Sequence, residues 1–219
     1  MADARLNAWG VWGILGTGLM LVGSTVMGSH GLDGRESFEL GVAASARVGL
    51  FPTFVAGSIG ALGGALATPG LVVVYRGLAP GGRQLALIAS MGLGLWLVMY
   101  AAHHGIRPPV AHVIRLEPEA FETLHFARTV AYMNLQRSIG GIGLFAGSMF
   151  FFFTVLFRST LFPRWMVLFT PILWMGGVRA SSLLDSPLAG PLVMGWVDAI
   201  NLMFFIAVTI TCRPDSRVD

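Results

Sequence analysis

Lysine is absent from the 219 residues, and all fourteen basic side chains are arginines. That excludes a Schiff-base lysine, a retinal-type attachment and a Walker A loop, whose lysine reaches the phosphates. A single cysteine, Cys212, excludes an internal disulfide framework and a thiolate metal cluster. Charge of either sign is scarce: 11% of the chain, against roughly 25% in a soluble domain. There is no basic run. The arginines are scattered among loop ends, so a pI of 9.7 with a net charge of only +3 gives no reason to expect nucleic acid as a partner. The first apolar run lacks a small-residue cleavage site and reads as a retained span, not a signal peptide.

What is there is grease. Hydrophobic residues make up 55% of the chain and the mean hydropathy is +0.73, the composition of a chain whose first partner is a lipid bilayer. A span needs roughly 20 apolar residues. Six runs qualify, at about 8–28, 49–75, 84–102, 139–157, 165–183 and 188–211. They lack the alternation of barrel strands, and backbone in hydrocarbon must satisfy its own hydrogen bonds. The expectation is an all-α, polytopic integral membrane bundle of about six transmembrane helices, one domain over 1–219. An additional amphipathic helix precedes span 4. Pro52 and Pro69 predict a kink or an early end in the second span. Abundant Ala, Gly and Arg are consistent with a high-GC bacterial genome.

Six spans put both termini on one side, here called side A. Its short connections hold Arg76, Arg83, Arg158 and Arg164, and its termini hold Arg5, Arg213 and Arg217. The positive-inside rule weights short loops, which points to a cell-membrane protein with both termini cytoplasmic. The five histidines and most acids lie on or near the opposite side B. A weak internal repeat over 36–102 and 119–183 rests on "ESFE" against "EAFE" and "YRGLAPGGR" against "FRSTLFPR".

Residues 117–141, EPEAFETLHFARTVAYMNLQRSIGG, stand out. On a helix, Glu122, His125, Thr129, Tyr132 and Gln136 fall within roughly 80° of arc. Leu124, Ala127, Ala131 and Leu135 take the opposite side, and Gly140, Gly143 and Gly147 continue the polar stripe into span 4. An interfacial helix on the headgroups explains such a stripe. Its Glu, His, Thr, Tyr and Gln, in place of the usual Lys and Arg, favour a cavity lining instead.

Other polar positions divide between structure and chemistry. Asp33 and Glu36 form a capping box, whereas His30 and Glu39 have no such role. Trp96, Tyr100 and His103 or His104 make one stripe, either an interfacial aromatic belt or a substrate wall. Asp198 lies near the middle of span 6 with Asn201 one turn on. An acid there is costly unless protonated or paired, and is a functional candidate by default. Arg179, near the side-B end of span 5, is its expected partner. Glu122-x-x-His125 has di-iron spacing, but Glu39-x-x-Val42 lacks the second histidine. No metal or cofactor is expected, and a haem between two histidines ranks behind the other readings.

The candidates are therefore Glu122, Asp198, His125, Tyr132, Glu39 and His30 for catalysis, with Trp96, Tyr100, Arg179, Asn201 and His103 for substrate binding. Three classes of function fit, and the first is the expected one, with the others as alternatives. One is an intramembrane enzyme acting on a lipophilic small molecule by acid–base chemistry. Another is a proton-coupled transporter, which six short spans would support best as a homo-oligomer. The third is a structural or haem-binding subunit. "YRGL", "FPRW" and the closing apolar helix are similar to small bacterial multi-span families without an assigned function. In size, multi-span architecture and buried acids the chain also resembles the small integral membrane terpene cyclases. That resemblance implies protonation of an alkene or epoxide by a membrane-embedded acid, followed by cyclisation. No signature motif is matched, so no residue role carries over.

Overall fold

The computed structural model describes residues 2–31, 43–117, 124–181, 183, 186 and 189–212, with the side chains of 2–7, 124–126, 178, 179 and 181 outside that description. Glu39, Glu122, the capping box at Asp33 and Glu36, and both copies of the short repeat motif lie outside the described residues. The described residues form α-helices and 3-10 turns and no strand. The helices are α1 (Ala2–Gly28), α2 (Leu50–Ala67), α3 (Leu71–Leu78), α4 (Arg83–Leu116), α5 (Leu124–Phe157), α6 (Pro171–Trp174), α7 (Gly176–Ser181) and α8 (Ala189–Thr211). Five stretches are long and apolar enough to cross a membrane: Ala8–Gly28, Leu50–Gly81, Arg83–Leu116, Ala127–Phe157 and Ala189–Thr211.

Glycine sets how these helices meet. Lipid tails are as apolar as leucine, so helices in a bilayer associate through close packing, which small residues permit. A side chain at Gly16 would run into Gly63 and Ala67, and one at Gly23 into Ala56 and Gly60, so α1 and α2 are antiparallel with backbones in contact. Gly64 against Ala101 and Gly57 against Pro108 place α4 antiparallel to α2. Gly92 meets Gly143 and Gly147, which joins α4 to α5. Gly28 faces Gly190 while Gly10 faces Thr209, so α8 returns along α1 and ends beside its start. The first and last helices thus bring their outer ends to one end of the bundle, side A, where Gly81 also meets Arg158.

Three runs are longer than the hydropathy windows predict. The second crosses Pro69 and Pro80 in single 3-10 turns and reaches Gly81. Gly82, at φ +140°, then makes the left-handed turn into α4. The third continues through Pro108 and Pro109. Proline normally breaks a helix because its ring crowds the preceding turn. Here the Pro108 ring fits into the bay left by Gly57 on α2. The expected amphipathic helix and span 4 are one helix, α5. At 34 residues each, α4 and α5 are about 51 Å long, well beyond a hydrocarbon core of roughly 30 Å. Their surplus lies toward side B, where Val110 and Met133 form a small core with Ile106, Ile114 and Val130. Arg115 donates from Nε and Nη2 to the Ala46 carbonyl at 3.0 and 2.7 Å, tying the 3-10 turn Ala43–Arg47 to this hairpin.

The expected fifth helix, 165–183, is corrected. It is a 3-10 turn Arg164–Phe169 followed by the short α6 and α7. Thr170 is held extended at ψ 122° because it precedes Pro171, and Gly176 and Gly177 follow within two turns. The chain still passes from side A to side B here. Phe162 lies against Gly77, Trp165 and Phe169 line a groove with Ile206 and Ile210 of α8, and Gly177 lies against Trp196. Indoles take up carbonyls that the break releases. Trp174 Nε1 donates to Leu168 O at 2.7 Å, and Trp196 Nε1 donates to Trp174 O at 2.9 Å.

Candidate functional site

The side-A half of the bundle has an apolar core. Phe151 packs on Phe162 and Phe204 with ring centroids 5.5 and 5.1 Å apart, among Leu78, Val155 and Met166. Cys212 belongs to this core. Burial pushes its thiol up to about 11, partly offset by Arg76, so it stays protonated and unreactive.

Toward side B the same helices change character. On α4, Trp96, His103, His104 and Arg107 recur on the face turned inward, and all four are buried. Trp96 stacks on Tyr100 at 4.8 Å, and Tyr100 meets the His104 ring edge-on at 5.0 Å. From α8 come Asp198 and Asn201, from α1 Ser24, and from α5 Gln136, all buried. The closest titratable pair is His104 and Asp198. Nε2 lies 3.7 Å from Oδ2, and both side chains are 0% exposed. Ser24 Oγ lies 3.4 Å from the same Nε2. The other face of the imidazole rests on Gly60, where a Cβ would collide with Nδ1.

Few of these groups reach a hydrogen bond. His103 Nδ1, His104 Nδ1, Arg107 Nε, both Asp198 oxygens and Asn201 Nδ2 have no hydrogen-bond partner among the described residues. Buried polar atoms are normally satisfied, and a cluster of exceptions calls for a cause. The pair at 3.7 Å is beyond ordinary hydrogen-bond reach, yet close enough for charge on one ring or carboxylate to act on the other.

The cluster revises the expectations made from sequence. Trp96, Tyr100, His103, Asp198 and Asn201 are all placed in this half of the bundle. The group facing Asp198 is His104, whereas the expected partner Arg179 has its side chain outside the description. The His125 side chain lies outside it too. Tyr132 is not turned into the bundle: it is 53% exposed. The buried seam of α5 runs through Met133, Gln136, Gly140 and Leu144. Helix packing keeps a narrower stripe than a polar arc of 80° suggests, and Tyr132 is one residue off it. His30 follows α1, half-buried beside Gly190. Burial first, then Arg107 and Arg47, hold its pKa below the ordinary 6.5.

Arg107 and Ser24 were missed. Arg107 extends the Trp96–Tyr100–His103 stripe by one turn and is legible as such once the helix is carried through Pro108. Among the described residues no three His, Cys, Asp or Glu are grouped to hold a metal ion. No family model, curated protein or solved structure matches the chain.

Proposed function

We propose that the protein is a multi-pass membrane enzyme that moves a proton at the Asp198–His104 pair and acts on a lipophilic, isoprenoid-type alkene or epoxide. The carrying observation is that pair, an acid and an imidazole 3.7 Å apart with no exposed surface. An acid held 3.7 Å from an imidazole is suited to general acid–base catalysis, since one group can give the proton and the other collect it. Asp198 protonates the alkene or epoxide. The chain closes on the cation that results, beside the stacked faces of Trp96 and Tyr100, whose quadrupoles favour positive charge. His104 takes the proton lost from the cyclised cation and returns it to Asp198. The sum is an isomerisation, with no oxidant or reductant consumed.

One observation favours a second reading, proton-coupled transport. The broken passage 164–181 lies along α8, which carries Asp198, and transporters commonly place ion and substrate sites beside discontinuous helices. Membranes holding the protein are to be incubated with prenylated acceptors and their epoxides. Cyclised product that disappears in Asp198→Asn supports the enzyme. No product, with proton-coupled flux in liposomes that needs Asp198, replaces it with the transporter.

The arginines of the short side-A connections support a cytoplasmic position for both termini under the positive-inside rule. Reporter fusions at either end should both report that side, and opposite reports overturn this orientation.

A further inference from the structure

The least satisfied charge in the cluster is Arg107. Its residue is 5% exposed. A buried guanidinium is costly to desolvate and normally meets a carboxylate or several carbonyls. Arg107 makes a contact of another kind: Nη2 donates to the Met194 thioether at 3.0 Å, and sulfur of this type is a weak acceptor. Nε has no partner among the described residues. Nε and Nη2 form the edge with which arginine grips a carboxylate or phosphate through two parallel hydrogen bonds. The edge made for an oxyanion is therefore turned toward a soft, neutral atom.

Charge in the neighbourhood points the same way. Asp198 faces His104. Arg137 of α5 lies close enough to act on Arg107, and Arg107 in turn acts on His30 and His103. Among the described residues no buried acid other than Asp198 stands near to balance the guanidinium.

We infer that the Nε–Nη2 edge of Arg107 is the binding site for an oxyanion head group, carboxylate or phosphate, on the lipophilic substrate. The inference rests on reading this cluster as a substrate site, but not on cyclisation. The anion would sit on Arg107 with its apolar tail along Trp96 and Tyr100. Arg107→Lys keeps the charge but loses the paired edge, so it should weaken anion binding, an effect that a merely structural cation does not produce.

The full-length protein in lipid nanodiscs is to be titrated with octanoate, octyl phosphate and 1-octanol, with binding read by calorimetry and thermal shift. Expected is binding of one or both anions at least tenfold tighter than octanol, with which of them binds separating the carboxylate source from the phosphate source. Arg107→Met should abolish the preference, and Arg107→Lys should weaken anion binding at least threefold. Equal binding of octanol, or a preference surviving in Arg107→Met, overturns the proposal. Should Arg107→Met fail to fold, Arg107→Lys decides, and undiminished anion binding overturns the proposal. Anion preference without isoprenoid turnover upholds this site and removes the cyclase reading. Turnover of neutral isoprenoids without anion preference does the reverse.

Discussion

The two halves of this bundle are built from the same helices and do opposite things. On α8, Phe204 and Phe205 join the aromatic core toward side A, while Asp198 and Asn201, one to two turns earlier, belong to the polar cluster. On α4, Ala86, Ala89 and Leu93 give way within a few turns to His103, His104 and Arg107. In the side-A half, packing is dense and apolar. Among the described residues the buried atoms without a partner are hydroxyls such as Ser90 and Ser148 in that half, whereas in the side-B half they belong to His103, His104, Arg107 and Asp198. The difference teaches that order and chemistry are separated along the helix axes, with the apolar half holding in register groups that would not stay together by themselves.

Breaking either half should therefore give a different phenotype. The largest effect is expected for Asp198→Asn. Turnover should fall by about 10²–10⁴-fold, the usual worth of a positioned acid or base, with the thermal midpoint in detergent almost unmoved because neither oxygen makes a hydrogen bond among the described residues. Phe204→Ala should do the converse, costing about 3–5 kcal/mol of stability for a truncated core aromatic while each folded molecule stays active. If the Asp198 variant loses more stability than the Phe204 variant, the division of labour is wrong.

Finer cuts follow along one seam. Gly60→Ala would press a methyl group onto the His104 ring. Displacing a catalytic group by about 1 Å can cost up to 10²-fold, so activity should drop roughly ten- to a hundredfold. Gly64→Ala, one turn away against Ala101, should lower stability but keep the activity of folded protein. Equal activity losses would mean that His104 is not singled out. Trp174→Phe removes the donor to Leu168 O and should cost about 1 kcal/mol, measured by thermal denaturation.

The smallest effect belongs to His30. Its folded pKa is lowered, so the unfolded chain binds its proton first as the pH falls. Stability from this group is complete well above 6.5 and declines as pH drops through that value toward the folded pKa. His30→Gln should flatten that slope in pH-dependent melting curves.

The helical class and the apolar crossings were legible because length and hydropathy report them directly. Depth on a helix was legible too, which is how Asp198 stood out. Partners were not. Whether His103 or His104 meets Asp198 depends on the rotation of α4, and that rotation is set by Gly57 and Gly60 on α2, some forty residues away in sequence. Tyr132 was misplaced for the same reason, since a polar arc does not state which of its residues the neighbouring helix covers. Prolines act in both directions. Pro108 and Pro109, beyond the expected end of the third span at 102, are passed through, whereas Pro171 with two following glycines interrupts a run whose hydropathy alone reads as continuous.

That interruption implies an order of assembly. A carbonyl left open in hydrocarbon costs several kcal/mol, and the carbonyl of Trp174 is satisfied by the indole of Trp196 on the next helix. Until α8 has been synthesised, the segment at 164–181 lacks the donor for that carbonyl. The broken segment and α8 should therefore pack as a pair, the first waiting for its successor. A nascent chain ended before residue 189 should leave the segment unpacked and accessible to a water-soluble probe.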